Sequence, residues 1–251
     1  MCTTCGCGSS ETLNHQHASK VGAADKTDLR LVQLEKDVLG KNKRYATQNR
    51  EYFQQHEIFA LNIISSPGSG KTSLLTATID ALKDQVDINV IEGDQSSQLD
   101  ADRIRSSGAK AIQINTGKGC HLDAHQVGHA VEDLNPADKG VLFIENVGNL
   151  VCPAPFDLGE AYKVVMLSVT EGEDKPLKYP DIFYAADLMI INKTDLLPYV
   201  DFNMEQCIAY AKQINPNLII IKLSATKGDG LSAWAQWIMK QRVFNESKHK
   251  P

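Results

Sequence analysis

Residues 65–75, SSPGSGKTSLL, join the apolar run of residues 58–64 to a segment whose Leu75, Ile79 and Leu82 share one helical face. A strand that turns through a glycine-rich loop straight into a helix leaves few folds open, because the loop must bring its amides together at a helix N-terminus. That terminus carries unsatisfied N–H groups and a partial positive charge, so it binds phosphate. Gly68, Ser69, Gly70, Lys71, Thr72 and Ser73 form the candidate phosphate site, in which Lys71 can reach the outer phosphates and the Thr72 hydroxyl can ligate Mg2+. The usual phosphate-loop pattern has a glycine at its first position, where this chain has Ser65.

The text downstream agrees with that start. Strand-like runs IFALNII, INVIEG, AIQIN, GVLFIEN, YKVVMLSV, DLMIINK and LIIIKLSA each precede a polar or helical segment. Buried runs alternating with amphipathic stretches predict an α/β fold of the P-loop NTPase kind: a mostly parallel sheet with helices on both faces. The length of 251 residues suits one such domain plus a tail. Residues 1–28 read as a flexible Cys-rich N-terminal tail, residues 29–55 as one or two helices, and residues 56–251 as the nucleotide-binding domain. With a net charge of -5 and no Lys/Arg block, nucleic acid is not an expected partner. No apolar run approaches the roughly 18 residues of a membrane span, and no secretory leader is legible, so neither a membrane nor export is expected. The predicted location is the cytoplasm.

Base identity is read from the far end of the sheet, where the run DLMII leads into Asn192, Lys193, Thr194 and Asp195. This resembles the base-specificity motif of GTPases. A carboxylate at Asp195 can accept from guanine N1–H and its exocyclic amine, whereas adenine offers an acceptor at N1, so GTP is favoured over ATP. Lys193 can cover the base plane, Asn192 can tie this loop to the phosphate loop, and Ser224 and Ala225 resemble the loop whose amides meet guanine O6. Asp94 and Glu145, each at the end of a predicted strand, are the acidic candidates for Mg2+ and water, since open α/β sheets gather ligands at strand C-termini. Residues 145–148 resemble the D-x-x-G switch with Glu in place of Asp. With Lys71 and Thr72, these acids make up the candidate catalytic set.

Two cysteine groups remain. Cys2, Cys5 and Cys7 lie within six residues of one another, with Gly6 and Gly8 free to fold the backbone around one soft ion such as Ni2+ or Zn2+. Cys120 and His121 are consecutive, and Cys152 lies four residues beyond Gly148; together they offer a second, three-ligand site that water or a partner chain must complete. His121, His125 and His129 recur every fourth residue, the spacing of one helical face. Cys207, in EQCIAYAKQI, has no ligand-type neighbour and reads as core.

CTTCGCG, PGSGKT, GKGCH, ENVGNLVCP and NKTD occur here in the order seen in the nickel-incorporation GTPases of nickel-iron hydrogenase maturation, the HypB family, and the resemblance covers nearly the whole chain. It implies a GTPase that dimerises with GTP and helps deliver nickel to the hydrogenase large-subunit precursor, alongside a second nickel-insertion accessory protein. It also implies a high-affinity nickel site at Cys2, Cys5 and Cys7, and a nickel or zinc site at Cys120, His121 and Cys152. The long His-rich segment of some relatives is missing, which weakens a storage role. Two other readings stay open: a urease-type nickel GTPase, which leaves the N-terminal cysteines unexplained, and a metal-buffering module that uses nucleotide only to dimerise.

Overall fold

A computed structural model describes residues 24–94 and 99–248. The Cys2, Cys5 and Cys7 cluster lies outside the described residues. The chain divides into two compact units, Met1–Val38 and Leu39–Pro251. The first contributes the opening turns of helix α1 (Ala24–Gln55), where Val32, Leu34 and Val38 are exposed. α1 is a single helix of 32 residues, and it begins within the stretch that the sequence assigns to the tail.

In the second unit, strands β1 (Phe59–Ser65), β2 (Ile88–Asp94), β3 (Lys110–Asn115), β4 (Val141–Glu145), β5 (Tyr162–Ser168), β6 (Leu188–Asn192) and β7 (Ile219–Lys222) form one sheet in the order β3-β2-β4-β1-β5-β6-β7. Every pairing is parallel. Helices cover both faces: α2 (Lys71–Leu82), α3 (Leu99–Ser106), α4 (Ala124–Leu134), α5 (Lys175–Lys178), α6 (Pro180–Ala185), α7 (Met204–Ile214) and α8 (Leu231–Lys248), with a 3-10 helix at Thr194–Tyr199. The predicted α/β architecture is therefore the observed one.

Side chains alternate across the sheet as strand geometry requires. Phe59, Leu61 and Ile63 of β1 join Leu75 and Ile79 of α2 and Trp234 and Ile238 of α8 in one core. On the other face Ala60 packs with Val127 and Leu134 of α4, and Ile64 with Phe183 of α6 and Cys207 of α7. Trp234 is fully buried, and its indole N–H donates to Thr78 Oγ1 at 2.9 Å, so its one polar atom is satisfied.

Because all strands run the same way, their C-terminal ends share one edge of the sheet. Ile63 of β1 stands opposite Glu145 of β4, Glu92 of β2 stands opposite Glu145 as well, and Ser168 of β5 stands opposite Asn192 of β6. The phosphate loop leaves the central strand β1 at this edge, where doubly wound sheets bind ligands. Among the described residues, no helix is long and apolar enough to cross a membrane.

Candidate nucleotide and metal sites

The phosphate loop is held open by left-handed glycines, Gly68 at φ 75° and Gly70 at φ 99°. No side chain caps the N-terminus of α2, so its leading amides remain available to an anion. Ser65, the residue that replaces the usual first glycine, has a role of its own. Its hydroxyl accepts from Ser69 Oγ at 2.6 Å and from Lys71 Nζ at 3.0 Å, and donates to the Ser66 carbonyl at 2.8 Å. Lys71 is thereby folded back over the loop it would serve.

The guanine-type loop is tied directly to this one. Asn192 Nδ2 donates to the Ser69 carbonyl at 2.9 Å, while its Oδ1 accepts from the Ala225 amide at 3.0 Å. Lys193 Nζ donates to the Gly68 carbonyl at 2.7 Å. Ser224 is buried, and its Oγ accepts from the Lys227 amide at 3.1 Å. Asp195 lies in the first turn of the 3-10 helix and is half-buried. A cavity of about 800 Å3 beside these loops is lined by Thr72, Ser73, Thr76, Leu99, Ala225 and Thr226.

The acidic candidates fall differently. Glu145 is buried and its Oε1 accepts from Thr72 Oγ1 at 3.0 Å. Burial pushes its carboxyl up to about 7, against the opposing pull of Lys71 and of the Thr72 hydrogen bond. Asp94 is half-buried at the end of β2, and its main-chain carbonyl accepts from the Thr116 amide at 2.9 Å.

Glu92, which the sequence reading passed over, is buried opposite Glu145, and burial followed by the Glu145 carboxylate raises it to about 8. Oε2 of Glu92 and Oε2 of Glu145 are both buried without a hydrogen-bond partner. Unpaired carboxylate oxygens beside a threonine hydroxyl are a hard-donor set, and they fit a divalent cation such as Mg2+. A further cation was also missed: Lys175 of α5 places Nζ 3.2 Å from Ser66 Oγ in the phosphate loop and 3.2 Å from Glu171 Oε2. No motif marks it, since 109 residues separate it from Ser66.

Cys120, His121 and Cys152 come together, their ligand atoms all within 4.8 Å of one another and each residue half-buried. Cys120, Cys152 and Cys207 are not in disulfides. The His121 ring packs on Phe156 at 4.0 Å between centroids, and burial holds its pKa below the usual imidazole value, with Asp123 opposing. A neutral imidazole between two thiols is a donor set for Ni2+ or Zn2+. Cys207 is fully buried in an apolar cluster, which pushes its thiol up to about 12.

Two polar ties join this cluster to the nucleotide edge. Thr116, at the base of the loop that carries Cys120, also donates its hydroxyl to the Asp94 carbonyl at 3.3 Å. Buried Asn146 accepts on one oxygen from the Leu122 and Val147 amides, both at 3.0 Å, and so binds the loop after His121 to residues 145–148. Gly148 packs so closely that a Cβ there would stand 3.0 Å from Pro67 of the phosphate loop.

The expected histidine row is only partly helical. Asp123 caps α4 through a reciprocal pair with Gln126, so the helix starts at Ala124 and His121 stays in the preceding loop. His125 and His129 alone share the helical face.

The model of the CobW/HypB/UreG nucleotide-binding domain matches residues 59–222. The chain is 60% identical over 227 residues to the hydrogenase maturation factor HypB of Azotobacter chroococcum, covering 90% of this chain and 74% of that one. The crystal structure of HypB from Archaeoglobus fulgidus superimposes with a TM-score of 0.76 at 44% identity, covering 81% of this chain and 99% of the other. HypB from Helicobacter pylori, solved in complex with nickel, gives 0.76 at 37% identity, covering 82% and 97%. With the nucleotide-binding domain matched and relatives this close along most of their length, the chain belongs to the HypB family of hydrogenase maturation factors.

Proposed function

We propose that the chain is a GTP-hydrolysing nickel metallochaperone that helps insert nickel into the nickel-iron hydrogenase large-subunit precursor. The observation that carries this reading is Asn146. One buried side chain grips both the loop after His121 and the switch-like segment that begins at Glu145, so a change at the phosphate end is felt at the metal ligands.

In this reading, GTP lies with its phosphates on the amides of residues 68–72 and its base against Asn192, Lys193 and Asp195, with Ser224 and Ala225 lining the opposite loop. Water attacks the γ-phosphorus, the bond to the β–γ bridging oxygen breaks, and GDP and phosphate leave. Lys71 neutralises charge that builds on the γ-phosphoryl oxygens and the leaving oxygen. Thr72, with Glu145 and Glu92 and with Asp94 close by, would hold Mg2+, which supplies further neutralisation of the phosphates.

Nickel is the cargo. Cys2, Cys5 and Cys7, in a tail of residues 1–28 joined through the helical segment 29–55 to the GTPase domain 56–251, would carry it, and Cys120, His121 and Cys152 would hold nickel or zinc in a nucleotide-dependent way. Three ligands leave the inner site one short, which suits completion across a GTP-favoured homodimer. The second accessory protein and the hydrogenase precursor are the partners that would receive the metal, in the cytoplasm.

The test measures phosphate release from GTP and from ATP, with Lys71→Ala as control, and then nickel and zinc affinity with GDP and with a non-hydrolysable GTP analogue. Release specific to GTP and a nucleotide-dependent inner site are expected. Release unaffected by Lys71→Ala, together with equal metal affinities in both nucleotide states, would leave a metal buffer and overturn the proposal.

A further inference from the structure

We infer that two asparagines of α1, Asn42 and Asn49, are positioning residues for the Cys120–His121–Cys152 cluster, because they clamp the two chain segments that carry its ligands to each other. The inference rests on the proposed reading of that cluster as a metal site. Its ligands come from separate arms, one running from Cys120 and His121 into α4, the other from Cys152 towards β5. A site made from two arms binds an ion more tightly when something outside it fixes their spacing before the ion arrives.

Asn42 and Asn49 lie about two turns apart on α1, so their side chains leave the same face. Each is buried, and each spans both arms. Asn42 Oδ1 accepts from the Ala124 amide at 2.8 Å, while its Nδ2 donates to the Asp157 carbonyl at 2.7 Å. Asn49 Nδ2 donates one proton to the Ala124 carbonyl at 2.8 Å and the other to the Leu158 carbonyl at 3.0 Å. Ala124, just after His121, is therefore held by both its amide and its carbonyl, and the same two side chains hold the stretch beyond Cys152. Glycines admit this close approach on both arms: a Cβ at Gly128 would stand 2.9 Å from Asn49 Oδ1, and one at Gly159 would stand 2.7 Å from Asn49 Cβ.

The clamped stretches lead directly to the ligands. Phe156, between Cys152 and the clamped Asp157, packs its ring on His121 at 4.0 Å between centroids. Lys163 Nζ donates to the Ala154 and Phe156 carbonyls at 3.2 and 2.9 Å, and Glu160 Oε2 accepts from the Leu158 amide at 2.6 Å, so the second arm has little slack of its own. Buried main-chain groups in such irregular stretches need partners, and water could serve each of them singly. Only a side chain that bonds both arms at once also fixes the distance between them.

The experiment measures Ni2+ affinity by chelator competition, with thiolate-to-nickel charge-transfer absorption and Tm, on the full chain carrying Cys2→Ala, Cys5→Ala and Cys7→Ala. In that background Asn42→Ala/Asn49→Ala is expected to bind Ni2+ about 10-fold more weakly, with an altered charge-transfer band. Trp234→Phe, which gives up the bond to Thr78 on the other face of the sheet, is expected to lose stability and keep both metal readouts. Nickel retained at parental affinity in Cys120→Ala/Cys152→Ala would overturn the metal-site reading beneath the inference. Parental affinity in the asparagine double variant, with the cysteine control empty, would overturn the clamp alone, as would an equal loss of affinity in Trp234→Phe. If the double variant lacks native circular dichroism, Asn42→Ala and Asn49→Ala decide singly: weaker binding in each supports the clamp, and parental affinity in either overturns it.

Discussion

The nucleotide edge and the Cys120–His121–Cys152 cluster are organised in opposite ways. At the nucleotide edge, loops from distant parts of the chain are already bonded to one another: Asn192 reaches Ser69 and Ala225, Lys193 reaches Gly68, and Ser65 holds Lys71. At the cluster, three ligands converge within 4.8 Å and no fourth protein ligand stands with them among the described residues. One region has its loops already fixed to one another within a single chain. The other offers three candidate ligands, and under the proposed function a fourth would come from outside the described residues.

The largest effect that would test this contrast is at Lys71. Lys71→Ala should lower phosphate release from GTP by about 100-fold or more while leaving the number of metal equivalents held by the cluster unchanged; a residual rate within a few fold of wild type would remove Lys71 from the catalytic set. Next comes Gly70→Ala. A Cβ at that position meets Asn192 Nδ2 at 2.6 Å and sits at φ 99°, so nucleotide affinity should fall, with a stability cost of about 1–3 kcal/mol visible by urea denaturation. Wild-type nucleotide affinity in that variant would mean the loop tolerates slack.

Asn146→Ala attacks the joint between the two regions. It leaves the Leu122 and Val147 amides unpaired, costs about 1–3 kcal/mol, and should shrink the difference in metal affinity between GDP and GTP-analogue states to near unity. An undiminished difference would route the coupling elsewhere, with Thr116 and Asp94 next to test.

The smallest effect concerns pH. Glu92 and Glu145 are raised to about 8 and about 7, above the ordinary 4.5, so the folded state holds more protons than the unfolded chain across that window. Stability of the metal-free protein should fall as pH rises from 4.5 to 8, by about 2–4 °C in Tm for each kcal/mol lost. Glu92→Gln should flatten the slope, and an identical slope in that variant would show that other groups set it.

Much of this could be read in the chain. Each of the seven strands coincides with one of the strand-like runs, and the inner strands are the most continuously apolar because they are covered on both faces of the parallel sheet, unlike the edge strands β3 and β7. The phosphate and guanine loops are legible because their chemistry is local, confined to a few consecutive residues. Glu92 was not legible: only the register that sets β2 beside β4 brings it opposite Glu145. Nor was Lys175, or the double grip of Asn146, which depends on a loop 24 residues away. The histidine row misled because the cap at Asp123, a local signal, outweighs a fourfold spacing that the eye carries across the helix start.

The bond between Trp234 and Thr78 spans 156 positions. Thr78 lies on the helix that begins at Lys71, so that helix lacks the part of its cover that α8 supplies until α8 has been synthesised and has left the exit tunnel. The packing of the helix behind the phosphate loop is therefore finished only after translation has carried the chain well beyond the loop itself.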